Sequence, residues 1–331
     1  MLRIHFSELD LARTRLAATS DPLWEIAGSL HRFQSRKGRW AYAGWFRSAR
    51  LQLHRRGLER AVRNVLLPLY PRATYFPDFL TPVGTDGSIE AGAELILATP
   101  GRRIRHEMAL LDQAVGAPAW VGQLADLGTR KEFVRLLRDY HEAVVAPYQD
   151  HVRARVDAER AARCRALLDG GVEGLLASLG QGSGMRWRPP VLEASYPEDR
   201  DLHLNGRGLT LVPSYFTWGQ PVSFADPELP PVLWYPLLDE HRSPQADTDS
   251  SGRSLVALLG RTRAAALHAA ASGATTGELA RAAGVSASSA SRHATALRDA
   301  GLITSVREGA QVLHTLTPAG ASVLRAAGER G

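Results

Sequence analysis

The spacing of hydrophobic and polar positions predicts that the first 180 residues are mostly helical. Asp21 and Pro22 suit the N-cap and the first position of a helix, and apolar residues then recur at helical spacing for several turns. A second helical pattern runs from 129 to 169, where Pro147 should kink the helix or divide it in two. The sequence therefore predicts a helical N-terminal domain over residues 1–180.

A different pattern begins after the glycine-rich stretch at 180–184. Short β-like runs separated by turn residues continue to residue 238, which predicts a small β-rich subdomain over 181–238. Aromatic residues are concentrated in this stretch, and two interpretations of them stay open: a packed core, or the wall of a small-molecule pocket. For the second interpretation, the candidate ligand-binding residues are Trp187, Arg200, Tyr215, Trp218 and Trp234.

A third region follows a polar stretch. Residues 239–253 contain no large apolar side chain and are typical of a linker. Helical periodicity resumes over 254–331, and a chain of 331 residues is long enough for several domains. The predicted fold class is mostly α with small β elements (α+β): a helical N-terminal domain, a β-rich subdomain and a C-terminal domain.

Two short helices in this last domain are separated by only a tight turn. Thr275 and Glu278 have the spacing of a capping box at the start of the first helix. The sequence Gly-Val-Ser at 284–286 ends that helix, with Val285 expected to be buried in the turn and Ser286 as the N-cap of the next helix. This arrangement predicts a helix-turn-helix.

The second of these helices has one apolar face and one face of small polar residues. Ala290, Ala294 and Leu297 share the inward face, and Gly301 suits a left-handed C-terminal stop. The outward face is small enough to approach a DNA groove closely, and Arg292 suits a bidentate contact with guanine or a phosphate contact. The candidate DNA-binding residues here are Ala287, Ser288, Ser289, Ser291, Arg292, Thr295 and Arg298.

Two β-like runs come next, 302–307 and 311–316, and Gly309 between them favours a hairpin turn. Such a hairpin can contact the DNA backbone or the minor groove beside the preceding helix. Thr317 and Pro318 then predict the start of a final helix. The candidate DNA-binding residues of the hairpin are Arg307, Gln311 and His314.

This order of helices and hairpin resembles the winged-helix DNA-binding domains of bacterial repressors, most closely the ArsR and MarR families. The recognition-helix motif of those families, S-x-x-x-x-S-R/H-H-x-x-x-L-R-x-A-G-L-hydrophobic, is matched from Ser286 to Ile303. Metal-sensing ArsR proteins carry paired cysteines in the preceding helix, where this chain has "GELARAAG", so thiolate metal sensing by that route is not expected. "DPLWE" and "YFPDFLTP" are similar to an actinobacterial family of regulators with a long N-terminal domain.

Charge and composition agree with these expectations. The net charge is +6, and residues 254–331 carry eight arginines against four acidic residues, as expected of a segment that binds a polyanion. No run of about 18 apolar residues suggests a membrane span, and the N-terminus lacks the apolar core of a signal peptide. A single cysteine, Cys164, allows no internal disulfide. We expect a cytoplasmic protein with no membrane partner.

The resemblance implies a transcriptional regulator that binds double-stranded DNA as a homodimer, more often a repressor than an activator. Helix 286–300 would lie in the major groove and hairpin 302–316 on the backbone or minor groove. Residues 255–267 and 129–169 are the expected dimer interface. The 253 residues before the DNA-binding domain suggest control by a small-molecule effector.

The alternative is an enzyme or a partner-binding protein that uses the N-terminal and β-rich domains, with the winged helix as a protein-contact module. The chain has no zinc-protease spacing of histidines and no G-x-S-x-G motif. We therefore assign no catalytic residue, metal or cofactor.

Overall fold

A computed structural model describes residues 1–39, 41–73, 75–84, 87–180, 184–237, 251–271, 273–308 and 311–328. About 59% of the described residues are helical and 15% lie in strands, which confirms the predicted α+β class. The chain forms two compact units. The first comprises residues 1–34 and 47–238, and the second comprises residues 35–46 and 239–331.

The long helical pattern around Pro147 is divided, as predicted. One helix ends at Tyr140, and a π-helical turn and a 3-10 turn containing Pro147 lead into the next. That helix has a second break at Gly170 and Gly171, where the backbone leaves helical geometry. The helices of residues 1–180 are α1 Glu8–Arg13, α2 Pro22–Gln34, α3 Ala43–Arg55, α4 Glu59–Ala61, α5 Leu67–Leu69, α6 Ile89–Ala98, α7 Gly101–Val115, α8 Leu127–Tyr140 and α9 Gln149–Ser178.

Two four-stranded sheets complete the first unit. Their strands are β1 Leu2–His5, β2 Arg15–Leu16, β3 Met185–Arg188, β4 Val191–Ala194, β5 Arg200–His203, β6 Thr210–Ser214, β7 Val222–Ser223 and β8 Val232–Pro236. The strand orders are β3-β4-β1-β5 and β2-β6-β8-β7. Strand β1 pairs antiparallel with β4 and parallel with β5, while β6 pairs parallel with both β2 and β8.

The predicted boundary between a helical domain 1–180 and a β-rich subdomain 181–238 is therefore wrong. Strand β1 lies in the middle of one sheet, with Ile4 opposite Leu192 on one side and Leu202 on the other. Without the N-terminal residues, β4 and β5 would have no strand between them. The leucines at the end of α9 pack on this sheet, in the same cluster as residues of β6 and β8, so both sheets and α9 share one core.

Helix α2 lies very close to the second sheet at Gly28. A β-carbon placed on Gly28 would lie 2.9 Å from Cβ of Phe216 and 3.1 Å from Cζ2 of Trp234, so only glycine fits without a shift. One turn earlier, the buried Glu25 carboxyl group accepts hydrogen bonds from the Ser214 hydroxyl (3.1 Å) and from the Phe216 amide (3.1 Å). Glu25 thus joins α2 to the end of β6.

Burial raises the pKa of Glu25 to about 7, so the folded protein retains a proton that the unfolded chain releases near pH 4.5. The contribution of this group to stability is complete below pH 4.5 and is lost as the pH rises towards 7. We expect Glu25→Gln to flatten the pH dependence of the free energy of unfolding between these values. Urea titrations of both proteins at several pH values would measure the difference, and parallel curves would contradict this role.

The second unit consists of helices and one small sheet. Its elements are α10 Ser251–Leu259, α11 Arg261–Ala271, β9 Ala274–Thr275, α12 Thr276–Ala283, α13 Ala287–Asp299, β10 Ile303–Glu308, β11 Gln311–Leu316 and α14 Pro318–Gly328. The strand order is β10-β11-β9, with both pairings antiparallel. Residues 251–253, predicted as linker, begin α10, while 239–250 lie outside the described residues. Gly260, with φ of 78°, separates α10 from α11.

Residues 35–46 also belong to this second unit, although they lie far from it in sequence. We call them the inserted segment. Arg36 donates from Nη1 to both carboxylate oxygens of Glu278, at 2.9 and 3.1 Å. The Arg36 carbonyl lies 3.4 Å from where a β-carbon of Gly273 would be. The inserted segment therefore packs at the start of α12.

Candidate functional site

Helix α13 has the two faces that the sequence predicts. Ser286 caps its N-terminus by accepting a hydrogen bond from the Ser289 amide, and Gly301 has φ of 71° just after its end. Ala290, Ala294 and Leu297 are buried on the inward face. These contacts fix the orientation of the helix about its own axis, so its other face is turned to solvent.

That outward face consists of hydroxyl, methyl and guanidinium groups. Ser289 is half-buried and accepts a hydrogen bond from the Arg292 guanidinium at 3.2 Å. Arg298 pairs with Asp299 at 3.2 Å. The other candidates on this helix are exposed: Ala287, Ser288, Ser291, Arg292, Thr295 and Arg298.

The preceding helix α12 is held by the predicted capping box. The Thr275 hydroxyl accepts from the Glu278 amide, and the Glu278 carboxylate accepts from the Thr275 amide at 2.7 Å. The hydrogen bonds that this carboxylate accepts from the Thr275 amide and, next in effect, from the Thr275 hydroxyl lower the pKa of Glu278. Gly284 ends α12 with a left-handed φ of 65°, while Val285, expected to be buried, is half-buried. A short turn thus joins α12 to α13.

The β10–β11 pair places two of its three candidate residues at the surface and buries the third. Arg307 and Gln311 are exposed. His314 is only 5% exposed, and its ring nitrogens lie 2.9 Å from the Thr276 hydroxyl and 2.8 Å from the Ser305 hydroxyl. The expectation that His314 contacts DNA is therefore wrong. The predicted turn at Gly309 lies outside the described residues.

His314 is buried because the sheet has a third strand, β9, that the sequence did not predict. Ala274 of β9 pairs directly with His314, so this position lies in the centre of the sheet. Burial, followed by the charge of Arg298, lowers the pKa of His314 and favours the neutral ring. A neutral, fully hydrogen-bonded imidazole is a structural group here.

A cavity of about 280 Å³ in the first unit is lined by aromatic side chains and arginines. Three predicted ligand-binding residues line it: Arg200, Trp218 and Trp234. The other two do not. Trp187 packs edge-on against Phe6 at 5.3 Å between ring centroids, and Tyr215 packs edge-on against His151 at 5.2 Å.

Sequence reasoning did not identify the polar residues that α2 and the following loop contribute to this cavity. His31 and Arg32 come from the last turn of α2, and Arg72 and Asp78 come from the irregular stretch after α5. Burial, and then the charges of Arg32 and Arg72, lower the pKa of His31 to about 3, so its ring is neutral. Burial raises the pKa of Asp78 to about 6 against the opposing effect of its backbone hydrogen bonds.

Among the described residues, no group of three or more His, Cys, Asp or Glu side chains is arranged to hold a metal ion. Within the same residues, no helix combines the length and the apolar character needed to cross a bilayer. Comparisons of the chain with protein-family models, with curated proteins and with solved structures gave no match.

Proposed function

We propose that the second unit is a winged helix and that the protein is a transcriptional regulator, a homodimeric repressor acting in the cytoplasm on double-stranded DNA. The main support is the outward face of α13. It offers hydroxyls and guanidinium groups to solvent with no large apolar side chain among them. A face of this kind can enter the major groove, which is wide enough to admit an α-helix.

The basic residues near this face also support DNA binding. Arg292, Arg298 and Arg307 are exposed, and Arg281 is exposed on α12. Two carboxylates near this face are already engaged: Glu278 with Thr275 and Arg36, and Asp299 with Arg298. Positive charge therefore dominates where phosphates would lie.

Exposed apolar residues on α10 support a dimer. Leu258 is 70% exposed and Val256 is 37% exposed, and both lie within the stretch 255–267 that is expected at the dimer interface. In a symmetric dimer, two copies of α13 set about 34 Å apart would contact successive major grooves of a pseudo-palindrome.

The test is selection of bound duplexes from a random library, followed by fluorescence anisotropy of the selected operator at increasing salt. We expect the logarithm of the association constant to fall linearly with the logarithm of salt concentration, by about 0.9 for each phosphate contacted. Full-length Arg292→Glu should bind all duplexes weakly, whereas Arg102→Glu, at a matched exposed residue of α7 outside the expected dimer interface, should bind as the unchanged protein does. Failure to bind any duplex at low salt would contradict the proposal and favour a protein-contact module.

A further inference from the structure

We infer that the cavity of the first unit binds a small aromatic carboxylate. Binding depends on the first unit alone, while a role for this ligand as the effector rests on the proposed function. Two features of the cavity support this ligand: its aromatic walls and its charges.

The walls are made largely of flat apolar rings. Trp24 lies 4.8 Å from Trp234 and 5.4 Å from Phe224 between ring centroids, and Phe76, Phe216 and Trp218 complete the lining. Such walls favour a planar apolar ligand by contact and by removal of apolar surface from water. A volume of about 280 Å³ lies just below the usual range for small-molecule sites, so the ligand is of the size of one or two rings.

The charges in the lining select an anion. Arg32, Arg72 and Arg200 line the cavity, and Asp78 is the one carboxyl group among the described lining residues. Both oxygens of Asp78 already accept hydrogen bonds from backbone amides, at 3.2 and 3.1 Å from Ala225 and at 2.9 Å from Asp226. The arginines therefore outnumber the carboxyl group, whose oxygens are directed to the backbone.

Arg200 is held in place by neutral groups. Its Nη2 donates to the carbonyl oxygens of Phe224 and Ala225 at 2.6 and 2.9 Å. These acceptors fix the guanidinium without neutralising its charge, and the guanidinium has five N–H donors in all. A carboxylate matches this planar set of donors, and its single charge and small size suit the cavity.

The test is isothermal titration calorimetry of the full-length protein with three indole probes that differ in charge: indole-3-acetate, indole-3-acetamide and tryptamine. We expect the acetate to bind at least about tenfold more tightly than the acetamide, because hydrogen bonds to a charged group are the stronger ones. Tryptamine, a cation, should bind most weakly. Equal affinities, or no saturable binding of the acetate at millimolar concentration, would overturn the inference.

Two variants separate the contribution of the arginine charge to binding from that of the aromatic walls. Arg72 is exposed at the edge of the cavity, so Arg72→Gln should fold normally. It should lower the affinity for indole-3-acetate about threefold to tenfold without changing the affinity for the acetamide. Trp218→Leu should lower the affinity for both the acetate and the acetamide. Arg102→Gln, an exposed arginine of α7 outside the cavity, is the control. If Arg72→Gln and Arg102→Gln bind the acetate alike, the charge argument fails.

These measurements need no DNA, so a negative result here can be distinguished from a negative result in the test of DNA binding. A separate anisotropy titration of the operator with and without indole-3-acetate tests the effector role. A change in operator affinity would support that role, and unchanged affinity with the cavity occupied would overturn it.

Discussion

Replacing Arg292 with alanine should weaken binding to the preferred operator by about 1–3 kcal/mol and relax the base preference at one position of each half-site. Arg292 is exposed on the outward face of α13, and its guanidinium is oriented by the hydrogen bond to Ser289. An arginine held in this way can donate two parallel hydrogen bonds to guanine in the major groove.

Arg307→Ala should affect DNA binding differently from Arg292→Ala. Arg307 is exposed on β10, beside α13, where a phosphate contact is expected. Its loss should weaken binding to all duplexes to a similar extent, without altering base preference. It should also reduce the slope of the logarithm of the association constant against the logarithm of salt concentration by about one. Anisotropy with the operator and with single-base variants measures both effects, and Arg102→Ala on α7, outside the expected dimer interface, is the matched control. Unchanged binding in both variants would rule out the proposed docking of α13.

The largest expected loss of stability comes from Arg130→Ala, about 3–5 kcal/mol in the free energy of unfolding of the first unit. Arg130 is 4% exposed, and its guanidinium donates to backbone carbonyl groups. The acceptors near the end of α6 include Leu97 (2.8 Å) and Thr99 (2.5 Å), and those near the start of α8 are Leu124 and Ala125 (both 3.1 Å). Alanine would remove the donor from all of these carbonyl groups, of which those of Thr99 and Leu124 are buried.

Arg130→Lys should recover only part of this loss, because an ammonium group cannot match the planar set of donors. Urea unfolding monitored by tryptophan fluorescence measures the difference, since most of the tryptophans lie in the first unit. Arg135→Ala on the same helix should change stability by less than about 0.5 kcal/mol. A similar small effect of Arg130→Ala would show that the carbonyls find other donors.

The sequence was most informative where structure depends on neighbouring residues. The capping box of Thr275 and Glu278, the N-cap at Ser286 and the inward face of α13 all follow from local spacing, and the structure confirms them. The division of the helical pattern at Pro147 is equally local. In each case the backbone hydrogen bonds or steric limits lie within a few residues of the signal.

The sequence was least informative where distant segments meet. Leu2, Ile4 and Phe6 alternate as a strand should, but the partners of β1 lie in β4 and β5, near the other end of the first unit. Strand β9 is only two residues long, so its pairing with His314 has no detectable pattern. Pairing between remote strands depends on tertiary packing rather than on local preference.

The cavity could be only partly predicted for the same reason. Trp218, Trp234 and Arg200 lie within one short stretch whose aromatic content is visible in the sequence. Arg32 and Arg72 join them only after α2 packs against the second sheet at Gly28. No spacing rule connects these arginines to that stretch.

The inserted segment limits how the second unit can be transferred to another protein. Because residues 35–46 belong to the second unit, the chain passes from one unit to the other three times. A single splice near residue 250 would transfer α10 to α14 but leave behind Arg36, the partner of Glu278. Grafting the second unit onto another protein, in the laboratory or by gene fusion, therefore requires the inserted segment to be supplied as well.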